Sequence, residues 1–202
     1  ASTGTVTLAS LSGAGKTTFG SAATITGGVS TGVINVTGLL TAAVSGGTVN
    51  AGSMTGAVSS SVTVTGLLTG AITAGTNALG SLSSSSVTGG TNTITGAATV
   101  TTVNGGTTTV GGVATLTTVS NGTLNLNGAT SSIGTLTDGT VNLGTTALTV
   151  NAGTFVGLLA GTNGSLIKAT AGTLTLSGAN TFGGGTTVNA GTLTVGNIGS
   201  LG

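Results

Sequence analysis

Three side chains carry all the charge in this chain: Lys16, Asp138 and Lys168. General acid–base catalysis draws on His, Glu, Asp, Lys, Tyr or Cys poised near the working pH. Here His, Cys, Glu and Tyr are absent, so one Asp and two Lys are the whole supply. The hexapeptide GAGKTT at 13–18 invites comparison with a phosphate loop, G-x-x-x-x-G-K-[ST]. With Gly15, Lys16 and Thr17 as its end, the first glycine of that motif falls on Ser10. A carboxylate to hold magnesium would also be needed, and Asp138 is the only one. A glycine corner carrying an exposed Lys16 is the expected structure. Lys168 could join a serine in a Ser–Lys dyad, but it is expected as an exposed charge on a strand, discouraging unwanted pairing. Asp138, in the tripeptide TDG, is expected in a turn.

Other chemistries fail on the same count. Metal centres need clustered Cys, His or carboxylates, and a single Asp makes no cluster. A net charge of +1 offers no basic stripe for nucleic acid, and Phe19, Phe155 and Phe182 are the only aromatic residues on which bases could stack. The expectation is a protein that is not an enzyme. It would have no catalytic, cofactor-binding or metal-ligating residues, no cofactor, and neither nucleic acid nor small-molecule substrate as partner.

Composition then says what the chain must build. Its 41 glycines and a Thr content of about a quarter dominate, while Pro is absent. Disordered segments are usually rich in charge and Pro and poor in β-branched residues; this sequence is the reverse. Val, Ile and Thr favour strands. Runs at 5–8, 24–26, 63–65, 93–95, 115–117 and 192–195 alternate with period two, Val, Leu or Ile against Thr. Gly, Asn and Ser separate them, as at 27–28, 105–106, 111–112 and 183–185, where corners need φ > 0 or a tolerant side chain. No stretch has a sustained helical period. No run of 18 apolar residues is present, so no membrane-spanning helix is expected, and an outer-membrane barrel would need aromatic girdles. No leader-like segment is visible, as in an already processed chain.

Internal repetition is the strongest signal. TVNAG occurs at 48–52, 149–153 and 187–191, and VTGLLT at 36–41 and 64–69. A Gly-Thr family alternates from Gly122, Gly139, Gly172 and Gly191. Gly122 to Gly139 is a step of 17, Gly172 to Gly191 a step of 19, and Thr149 to Thr187 twice that. The VTGLLT copies lie 28 apart, which reads as one period with an insertion. These steps predict a parallel β-helix with a period near 19. About ten coils fit in one repeat domain spanning 1–202. Stacked at about 4.8 Å, they make a rod roughly 50 Å long.

The stretch GTLTLSGANTFGGGTTVNAGTLTVGN at 172–197 resembles the autotransporter-associated β-strand repeat of bacterial surface proteins. The order of GTLTLSGANT, an aromatic (Phe182), a glycine-rich turn and TTVNAGTLTV carries the likeness. Residues 10–28 and 149–154 look like weaker relatives. The resemblance implies an all-β fold, a right-handed parallel β-helix, and secretion to the cell surface or the extracellular space. It implies no biochemical activity.

Two functional readings remain at this level. With three charges and a mean hydropathy of +0.59, the surface favours self-association. Residues 1–10 already alternate and 191–202 carry no visible cap, so head-to-tail or lateral stacking into a filament, fibre or sheath is expected, with a stalk or adhesin segment as the alternative. The T-x-T strands also look like those of ice-binding solenoids. Because coil length varies, these threonines need not align on one flat face. The sequons at Asn35, Asn121 and Asn163 are expected by chance in so Asn- and Thr-rich a chain.

Overall fold

A short strand that alternates apolar and hydroxyl residues has one face to bury and nothing of its own to bury it against. Stacking successive coils supplies the missing partner. The computed structural model describes residues 5–196 and Leu201, and shows this arrangement. Its strands belong to one parallel stack in which strands pair with the coil before and the coil after. Among the described residues there is no helix. The fold is a β-solenoid of about 11 turns. One position can be followed from rung to rung, from Val6 by way of Ala23, Leu40 and Met54 to Leu166 and Thr186.

The expected period of 19 therefore holds only near the C-terminal end. The step is 17 from Val6 to Ala23, but only 13 from Thr48 to Ser61. It returns to 16 between Ala98 and Ala114, then reaches 21 between Gly153 and Leu174. The two VTGLLT copies are not separated by an insertion. Leu40 of the first copy pairs with Met54, and Met54 pairs with Leu68 of the second, so two short coils of equal length lie between them. Likewise Thr149 reaches Thr187 through Ile167, in steps of 18 and 20.

Each coil has three walls. The first carries strands such as Thr91–Ile94 and the second carries strands such as the start of Ala98–Val110. The third is short in most coils and contributes one inward residue: Val44, Val58, Ile72, Val87, Val103 and Val119 stack directly on one another, each no more than 1% exposed. Fully burying such a side chain contributes about 1.5–3 kcal/mol. In the last coils the third wall becomes a sheet of its own, in which Gly153 and Phe155 pair with Leu174 and Leu176, and strand Thr173–Leu176 with Thr192–Val195.

Glycine makes the corners possible. At the first corner Gly38, Gly52, Gly66, Gly80, Gly96, Gly112 and Gly128 follow one another coil by coil, and a Cβ on Gly66 would lie 2.6 Å from the Gly52 carbonyl oxygen. No real Cβ tolerates that approach. At the opposite corner Gly90 has φ +79°, a left-handed geometry that side chains with a Cβ resist. The terminal segments on which the expectation of uncapped ends rested lie partly outside the described residues.

Candidate functional site

The three charged residues are placed apart. Lys16 is exposed at the start of strand Lys16–Phe19, which pairs in parallel with Val33–Val44. A phosphate loop would instead open a helix, so the corner expected at 13–18 is what the chain forms. Asp138 is exposed, and its Oδ1 accepts a hydrogen bond from Gly139 N at 2.7 Å, fixing the turn. Asn121, one coil earlier, does the same with Gly122 N at 2.7 Å. These two turns edge a shallow groove with Thr123, Thr140 and Leu158.

Lys168 corrects the expectation made for it. It is fully buried, not an exposed gatekeeper. It occupies the inward position held by Leu116, Ile133 and Val150 in the coils before. Its Nζ donates to the carbonyl oxygens of Thr170 and, at 3.3 Å, Ala190. Those acceptors are backbone groups, so the amine braces two successive coils and is not held by a serine hydroxyl. The signal was present in the sequence: Lys168 is in phase with Leu166, and Ile167 takes the outward place.

Polar residues that sequence reasoning passed over also enter the core. Asn77 and Asn92 are 1% and 0% exposed, and they stack at an inward position of the first wall. Asn77 Nδ2 donates to Asn92 Oδ1 at 2.7 Å, and Val62 N donates to Asn77 Oδ1 at 3.2 Å. Asn92 Nδ2 donates to Gly89 O at 3.1 Å and reaches Thr108 Oγ1 at 3.4 Å. Their alternation with Leu79 and Ile94 marks them as inward. Buried amides satisfied in this way cost little, whereas orphaned ones cost about 1–3 kcal/mol.

The outward surface is ordered into columns. On the first wall Asn50 Nδ2 donates to Asn35 Oδ1 at 2.9 Å, and Asn142 Nδ2 to Asn125 Oδ1 at 2.6 Å. Asn125 Nδ2 in turn donates to Thr109 Oγ1 at 3.1 Å, so the column is knitted to itself at 35–50 and over 109–142. The second wall differs. Thr7, Thr24, Thr41, Thr55, Thr69, Ser83, Thr99, Thr115, Ser132 and Thr149 are Cα partners in unbroken succession. Varying coil length does not scatter these threonines: slack is taken up at corners and in the third wall, and the hydroxyls stay in register. Ile167 ends the run.

Among known proteins, a family model described as the passenger-associated-transport-repeat matches residues 166–195. No curated protein and no solved structure matches the chain. The matched segment holds Lys168, Asn180, Phe182 and the strands Thr173–Leu176 and Thr192–Val195, which build the enlarged third wall. Residues 166–195 are thus similar to the passenger-associated-transport-repeat, as fits an autotransporter passenger repeat, and they are built into a parallel β-solenoid.

Proposed function

We propose that this protein is a non-catalytic building block of the bacterial surface: a rigid rod that associates with copies of itself into an extracellular filament, fibre or sheath. The observation that carries the reading is the unbroken stack of parallel rungs whose faces hold almost no charge. Lys168 is internal, so Lys16 and Asp138 are the charged side chains that stand exposed on the described surface. Low charge density favours association. The passenger-type repeat fits a secreted or surface-displayed protein.

Negative-stain electron microscopy with sedimentation velocity, run over a range of protein and salt concentrations, tests this. Fibres or laterally packed sheets are the expected result. Monodisperse particles at every condition would remove self-assembly and leave a stalk or adhesin segment.

A further inference from the structure

The second wall presents a lattice of hydroxyls with no protein partner, and we infer that this face binds crystalline water, adsorbing to the surface of ice. The inference does not depend on self-assembly. Successive rungs carry Thr or Ser at one outward position, from Thr7 to Thr149. At the stacking distance of about 4.8 Å, the row runs for about 43 Å. None of these side chains hydrogen-bonds to another group among the described residues. On the first wall, by contrast, Asn35, Asn50, Asn125 and Asn142 bond to neighbours in their own column.

Three properties make water in a lattice the occupant. First, each hydroxyl both donates and accepts, as a lattice water does, and the rung spacing is close to the oxygen repeat of ice. Ser85, Thr101 and Thr117, two residues on from Ser83, Thr99 and Thr115, add exposed hydroxyls beside the row over these coils. Second, no charged side chain faces outward on this wall; a charge would hold its own hydration shell and break the lattice. Third, Leu39, Leu67 and Val113 stand exposed beside the row, at 44, 44 and 48%. With the threonine methyls they cage water without bonding to it. A flat protein partner would have to leave the free hydroxyls unbonded or match them one by one, whereas ice matches them by periodicity.

Thermal hysteresis and ice-recrystallisation inhibition by the purified chain are the test, with the double variant Thr99→Lys and Thr115→Lys on the face and Thr93→Lys on the first wall as control. All three positions are exposed, and circular dichroism melts check that each variant is folded. The wild type and the control are expected to shape ice crystals and suppress recrystallisation. The double variant should need at least about tenfold more protein for the same effect. The variant pair Thr99→Val and Thr115→Val, which keeps shape and strand preference, should also weaken it. Ice growing in the wild-type solution as it does in buffer overturns the inference. So does inhibition that Thr93→Lys abolishes and the face variants leave intact. If the face variants only dissolve lateral assemblies seen by microscopy, with ice growth unaffected throughout, the occupant is a second copy and the inference fails while the rod reading stands.

Discussion

The slim coils between Thr48 and Leu82 and the wide coils after Gly153 are two solutions to one packing problem. In the slim region Thr48 already meets its partner at Ser61 and Thr63 at Ala78, and the third wall is a short arc that sends Val58 or Ile72 inward. In the wide region Ala147 must reach Ser165 and Gly153 must reach Leu174. There the third wall is a strand with two inward positions per coil: Leu174 and Leu176, then Leu193 and Val195. The first and second walls keep their register through both. Length therefore varies outside the outward columns of the first two walls. The wide coil encloses a broader interior, which Phe155, Phe182 and Lys168 fill, while the slim one is closed by Val, Ile, Leu and Met.

That contrast can be broken most severely at Phe155, fully buried where the wide third wall begins. Phe155→Ala should cost about 4 kcal/mol. Because coils contact only their neighbours, hydrogen exchange should show protection lost around 150–195 and retained over 48–87; uniform loss would show that the two regions unfold as one. Next come the glycines. Gly70→Val in the slim region should cost about 3 kcal/mol, since its Cβ would run into the Gly56 carbonyl oxygen. Gly185→Ala in the wide region has open space and φ +83°, so about 1 kcal/mol is expected, from backbone strain alone. Urea unfolding of the pair ranks them, and equal effects would refute the corner argument.

The buried polar groups sharpen the comparison. Asn92→Ala leaves the Asn77 amide without its 2.7 Å partner and should cost about 2 kcal/mol. Asn77→Ala orphans the Val62 N–H as well, so a double-mutant cycle of Asn77→Ala and Asn92→Ala by chemical denaturation should show a coupling of about 1 kcal/mol between the two amides. In the wide region Lys168→Met replaces a buried amine by an apolar chain of similar length. Stability should stay within about 1 kcal/mol of wild type, whereas Lys168→Glu should unfold the coil. A large loss on Lys168→Met would mean that the bonds to Thr170 and Ala190 outweigh the cost of burying the amine.

Much of the architecture is legible in sequence because alternation is local. Thr24, Ile25 and Thr26 state which side is inward with no help from the rest of the chain. Coil length is not legible to the same degree, because VTGLLT and the later TVNAG copies recur every second coil whereas the Gly-Thr words recur in adjacent ones. VTGLLT at 36 and 64 brackets a coil that has lost the word, with Ser53 at the place of Leu39. The period of 19 comes from words near the C-terminal end, where coils are longest. Lys168 is misplaced when its charge is given more weight than its phase with Leu166. Asn77 and Asn92 go unremarked although the same phase names them. The hydroxyl row needs the structure, since only pairing reveals that the corners and the third wall, and not the second wall, absorb each change in coil length.

The hydrogen bonds between rungs lie along the rod, and that decides how the protein meets force. A pull on the two chain ends peels coils singly instead of shearing a whole sheet at once. At about 3.3 Å of extended chain per residue, a slim coil releases roughly 46 Å and a wide one roughly 66 Å. Stretched by a tether, the molecule would lengthen in steps whose size reports which end is yielding, a graded shock absorber written in coil length.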